Sequence, residues 1–75
     1  MSEKRLSEIK ENEYAVITKI NCKDALKTRL FDLGFIEGTK IKCVNIAFGK
    51  SPLAFDVRGT IIALRKSDCE NIKYL

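Results

Sequence analysis

The sequence predicts an all-β fold: a small, partly open β-barrel of about five short strands, with one inserted α-helix and a short helical turn near the C-terminus. Three observations carry that expectation. Short runs of alternating or β-branched apolar residues recur at 14–20, 40–47, 53–57, 60–65 and 72–75. Glycine, Pro52 and polar residues separate them. A single stretch, with Leu26, Leu30 and Leu33 at i, i+4 and i+7, has the spacing of one helical stripe instead. The 75 residues read as one domain, 1–75. A chain of this size buries only about 60% of its unfolded surface. Closing short strands into a barrel concentrates the core and removes the exposed edges that invite aggregation.

The elements follow in order. Leu6 and Ile9 are spaced to lie across an open end of the core. In 14–20, Tyr14, Val16 and Ile20 are expected on one face of a strand and Lys19 on the other. The central helix has Lys27, Thr28, Arg29 and Asp32 off its leucine stripe, and Asp24 is placed to cap its first turn. Gly34 stands where the chain leaves the helix in a left-handed conformation, and Gly38 follows Glu37 as a tight turn. Ile41 and Cys43 alternate with Lys40 and Lys42, after which Val44 and Ile46 take the lysines' face, indicating burial on both sides or a bulge near Val44. After the loop at 48–52, strands 53–57 and 60–65 form a hairpin through the short glycine-containing connection Arg58-Gly-Thr60. Ser67-x-x-Glu70 has the pattern of a capping box, opening a helical turn before the last strand.

Composition excludes several classes. No apolar run approaches the roughly 18 residues that span a bilayer, and the N-terminus lacks the apolar stretch of a secretion signal, so a cytoplasmic location is expected. Cys22, Cys43 and Cys69 have no CxxC spacing and there is no histidine, so reduced thiols are expected rather than disulfides or a zinc site. The net charge is +4, but the 14 basic residues are scattered, with Lys4-Arg5 and Arg65-Lys66 the only adjacent pairs. Without a basic stripe or a basic-aromatic repeat, nucleic-acid binding is not expected. Nor is catalysis, because no nucleophile elbow or phosphate-binding glycine loop is present and Asp24, Asp32, Glu37 and Asp56 are isolated in sequence.

Several motifs occur in a telling order: Leu6-x-x-Ile9, a strand, Arg29-Leu-x-x-Leu-Gly34-Phe-x-x-Gly38, Ser51-Pro52, Val57-Arg-Gly59, and Ile62-Ala-Leu-Arg65 before Ile72. From about Leu6 to Tyr74 the chain resembles the FeoA family, ferrous iron transport protein A. One departure is Ser51, where an acidic residue usually precedes the proline. The resemblance implies an SH3-like barrel that serves as a non-enzymatic cytoplasmic accessory of FeoB, the membrane ferrous-iron transporter with a cytosolic G-protein domain. It implies contact with the membrane only through that partner. Metal binding is implied for iron-related relatives, yet no spacing here assembles a ligand set, so neither a metal site nor a cofactor is expected.

Phe35 and Ile36 follow the helix-ending Gly34, where at least one apolar side chain should protrude. Arg29, Asp32, Phe35 and Ile36 are therefore the expected partner-binding residues. The same barrel is similar to the C-terminal domain of iron-dependent repressors, so a regulatory domain of that type is the alternative. Only about a dozen residues precede the first strand, too few for a helix-turn-helix. A small basic RNA-binding barrel is a third reading, and self-association through an open strand edge is a further contact compatible with the pattern.

Overall fold

The computed structural model describes residues 3–75. Among them, β1 (Lys4–Arg5), a 3₁₀ turn (Leu6–Glu8), β2 (Tyr14–Ile20), α1 (Asp24–Asp32), β3 (Lys40–Ile46), β4 (Leu53–Val57), β5 (Thr60–Leu64), α2 (Lys66–Cys69) and β6 (Ile72–Tyr74) follow in sequence. Every strand pair is antiparallel, and the order across the sheet is β1-β6-β2-β3-β4-β5. β1 and β5 are the two ends of that order, leaving an open seam. This is the expected all-β barrel with an inserted helix and a C-terminal helical turn. The strand beyond the expected five is β1, whose two residues are too few to show a period.

Alternation builds the core. Ile41 and Cys43 of β3, Leu53, Phe55 and Val57 of β4, and Ile62 and Leu64 of β5 are buried, and Leu6 and Ile9 join the same core cluster. At β3 the register shifts between Cys43 and Asn45, so the face swap at Val44 is a bulge. A second bulge, between Ile17 and Lys19, lies in β2 and changes its phase. The buried residues of β2 are Ala15, Ile17 and Ile20, while Tyr14 and Val16 face outward. Tyr14 and Val16 thus do not share a face with Ile20, because the extra residue breaks the two-residue period.

Two caps differ from expectation. Asp24 is the first helical residue of α1 rather than its cap, and puts its carboxylate in the first turn at the positive end of the helix dipole. In α2 no capping box forms. Its N-cap is Arg65, and the Lys66 N–H instead donates to Ser51 Oγ at 3.3 Å, across 15 residues of sequence. The β4–β5 connection is the expected short glycine-containing hairpin, and its loop is the two residues Arg58 and Gly59. Arg58 and Gly59 both have positive φ, 54° and 86°, as a type I′ turn requires, and the Gly59 N–H donates to Asp56 Oδ1 at 2.9 Å.

A candidate docking groove along the central helix

The helix α1 meets the barrel through Leu30, which is fully buried, with Leu26 and Leu33 half-buried against the core. Its C-terminus is a Schellman motif. Gly34 adopts φ +86°, its N–H donates to the Phe31 carbonyl at 3.0 Å, and the Phe35 N–H donates to the Leu30 carbonyl at 2.8 Å. Such a motif brings the residue after the glycine over the last turn, and Leu30 and Phe35 both belong to the buried core. The Phe35 ring meets Phe55 edge-on, with centroids 6.4 Å apart and planes at 75°.

Phe35 is therefore a core residue, and its expected place on a partner-facing surface is corrected. The spacing Leu30-x-x-x-Gly34-Phe35 carried the signal, since it is that of a Schellman motif with its apolar contact.

The aromatic that protrudes from α1 is Phe31, 66% exposed. It follows Leu30 directly and so lies off the leucine stripe, which is the sequence signal that could have found it. Two adjoining hollows flank it. The larger, about 280 Å³, lies between Phe31, Ile20, Ile36 and the underlying Phe35, with Lys27 and Glu37 at its rim. The smaller, about 260 Å³, is bounded by Phe31, Asp24, Lys27 and Thr28. The loop that shapes the larger hollow is pinned to β2 and to itself. The Gly38 N–H donates to the Ile17 carbonyl at 2.7 Å, the Thr39 N–H to the Ile36 carbonyl at 3.1 Å, and Thr39 Oγ1 to the Gly34 carbonyl at 3.2 Å. A backbone held this way presents the groove preformed. Of the four expected residues, the structure places half-buried Ile36 in the groove, Arg29 and Asp32 exposed on α1 outside its lining, and Phe35 beneath it.

The three cysteines are free thiols, Cys43 and Cys69 buried and Cys22 half-buried. Burial pushes all three thiols up, Cys69 to about 12 with a further contribution from the Asp68 charge, so thiolate chemistry near neutral pH is disfavoured. Among the described residues, no group of three or more His, Cys, Asp or Glu side chains is arranged to hold a metal ion. No helix among them is long and apolar enough to cross a membrane.

An open antiparallel barrel with one long helix among the described residues defines a class by its fold, that of small SH3-like barrels. The FeoA domain model matches residues 4–73, and the chain belongs to that family, which is associated with Fe(2+) transport. It is similar to the putative Fe(2+) transport protein A of Campylobacter jejuni, with 25% identity over 91% of this chain and 92% of that protein. It is 28% identical, over 92% of its length, to part of an Fe(2+) transport protein A/Fe(2+) transporter FeoB fusion protein of Porphyromonas gingivalis, of which it spans 8%. The solution structure of FeoA protein from Chlorobium tepidum superposes with a TM-score of 0.90 at 29% identity, covering 96% of this chain and 70% of that one. A TM-score of 0.84 at 21% identity relates it in fold alone to IdeR from T. acidophilum, covering 99% of this chain and 34% of that one.

Proposed function

We propose that this domain is a non-enzymatic accessory of ferrous iron uptake that docks on the cytosolic part of a FeoB-type transporter and modulates it. Family membership supports the iron-transport role. The Porphyromonas gingivalis fusion supports the partner, because its name joins the two components in one polypeptide. The observation that carries the docking site is Phe31, an exposed aromatic at the lip of a preformed apolar hollow. Aromatic anchors beside fitted pockets dominate interface energies, while their polar surroundings exclude water and set orientation. In this reading Phe31 is the anchor, Ile36 lines the receiving hollow, and Arg29 and Asp32 supply the polar margin on α1. Phe35 supports them from below.

The test is a binding titration against the transporter's cytosolic domain, in apo and nucleotide-bound forms. Phe31→Asp should leave the thermal melt nearly unchanged and weaken binding about tenfold or more, as loss of a central aromatic anchor does. Arg29→Ala and Asp32→Ala should each cost only a few-fold, because margin charges act through screened, solvent-exposed contacts. Undiminished binding by Phe31→Asp removes the groove from the interface. The repressor-type alternative rests on likeness of fold alone.

A further inference from the structure

Strand pairing gathers basic residues that lie far apart in the sequence. The six strands hold six of the chain's 14 basic residues but only one of its 10 acidic residues, Asp56, so they carry +5 and everything outside them −1. Across β1, β6 and β2, Arg5 stands opposite Lys73 and Lys73 opposite Lys19, and all three are exposed. On the other flank of β2, Lys42 and Lys40 of β3 stand opposite Tyr14 and Val16. Like charges directly opposite on a sheet destabilise it. A row of three without an intervening carboxylate is a cost to the fold that an anionic ligand relieves.

The rest of this face bears on which class of anion suits it. Between the two basic groups, Val16 and Leu75 are joined by a reciprocal pair of backbone hydrogen bonds, 3.0 Å each, and are 39% and 50% exposed. Aliphatic side chains set among lysines are the composition of a surface that lies on lipid headgroups, with charge on the phosphates and apolar tips in the interface. Tyr14 adds an amphipathic ring of the kind found at that depth. Nucleic acid fits less well. Tyr14 is the one exposed aromatic on these strands, and the ammonium groups of Lys40 and Lys42 lie 4.8 and 5.5 Å from its centroid, over the ring on which a base would stack.

We propose that the outer face of β6, β2 and β3, with Arg5 of β1, is a membrane-contact surface that binds anionic phospholipid headgroups. The barrel then touches the bilayer itself, and not only through a membrane-embedded partner. This proposal stands apart from the transporter reading, and its test contains no transporter.

The experiment is co-sedimentation of the full chain with phosphatidylcholine vesicles, with and without phosphatidylglycerol, at low and at physiological ionic strength. Binding should require phosphatidylglycerol and weaken with salt. Each basic residue near an anionic surface contributes about fivefold in partition, so Lys19→Gln/Lys73→Gln should lower binding about 25-fold. Lys10→Gln/Lys66→Gln changes net charge equally away from the strands and should stay within about twofold. Because Lys19→Gln/Lys73→Gln relieves a like-charge pair, its melting temperature should be no lower than the parent's, which separates lost binding from lost folding. Sedimentation that ignores phosphatidylglycerol, or an equal loss in both double variants, overturns the proposal. So does tighter binding to polyuridylate RNA than to the vesicles at the same salt, which reassigns the face to nucleic acid.

Discussion

The Arg58 side chain lies across Gly34, its Cδ 3.4 Å from the position a β-carbon on that glycine would occupy. Gly34 ends α1 at φ +86°, and Arg58 opens the β4–β5 turn at φ 54°. The contact ties the hairpin tip to the end of the helix, and it brings a cationic side chain to the negative end of the helix dipole. A β-carbon at Gly34 would make ordinary van der Waals contact with this flexible side chain, so what constrains the position is its left-handed backbone.

Gly34→Ala should therefore destabilise the fold by about 1–2 kcal/mol, from the left-handed backbone it forces on alanine. For a domain of this size that is a fall of roughly 4–16 °C in melting temperature. In a double-mutant cycle with Arg58→Ala, part of the loss should be shared, since the two sites touch. An unchanged melt for Gly34→Ala would contradict a left-handed backbone at this position.

The two phenylalanines four residues apart should behave as opposites. Phe35→Ala empties a fully buried site against Phe55 and should cost about 3–5 kcal/mol in urea unfolding, a large part of the stability of a small domain. Phe31→Ala removes an exposed ring and should stay within about 0.5 kcal/mol. Equal losses would place Phe31 in the core.

Alkaline pH should erode stability through the thiols. The Cys69 thiol is pushed from its ordinary 9.0 up to about 12, first by burial and then by the Asp68 charge. The folded state thus holds a proton that the unfolded state releases, so this contribution is complete below pH 9.0 and is lost progressively toward about 12. Cys69→Ala should flatten the fall of melting temperature with pH over that window. The fall should be reduced rather than abolished, because burial also raises the Cys22, Cys43 and Tyr74 groups. An identical pH profile in the variant would show that Cys69 is not held protonated by the fold.

Asp56 holds the β4–β5 turn through Oδ1 and the Gly59 N–H. Asp56→Ala should lose about 1 kcal/mol in urea unfolding, whereas Asp56→Asn, whose amide oxygen can still accept, should lose clearly less. Both variants remove the same charge, so a difference between them reports the hydrogen bond. Equal losses would assign the effect to charge instead.

Much of the fold was legible because its signals are local. Gly34 and Gly38 mark chain reversals that only a positive φ permits cheaply, and both have it. The face swap after Cys43 left burial on both sides or a bulge as its two readings, and the structure has the bulge, while the glycine after Arg58 marked a short hairpin. The helix stripe Leu26, Leu30, Leu33 does meet the core, although only Leu30 is fully buried. The bulge in β2 left no comparable trace. Ala15 reads as a weak core residue and Tyr14 as a strong one, yet the small side chain faces in and the ring lies out under two lysines.

By itself, then, the sequence determined where the chain turns, which segments alternate, and the order of motifs that marks the FeoA family. Those are properties of neighbours along the chain. The tertiary structure alone decided that Ala15 faces in and Tyr14 out, that the Lys66 N–H of α2 donates to Ser51, and that Arg5, Lys19 and Lys73 form one row. Each depends on which distant residues the antiparallel register sets side by side, and a one-residue bulge moves that register without changing the composition of the strand.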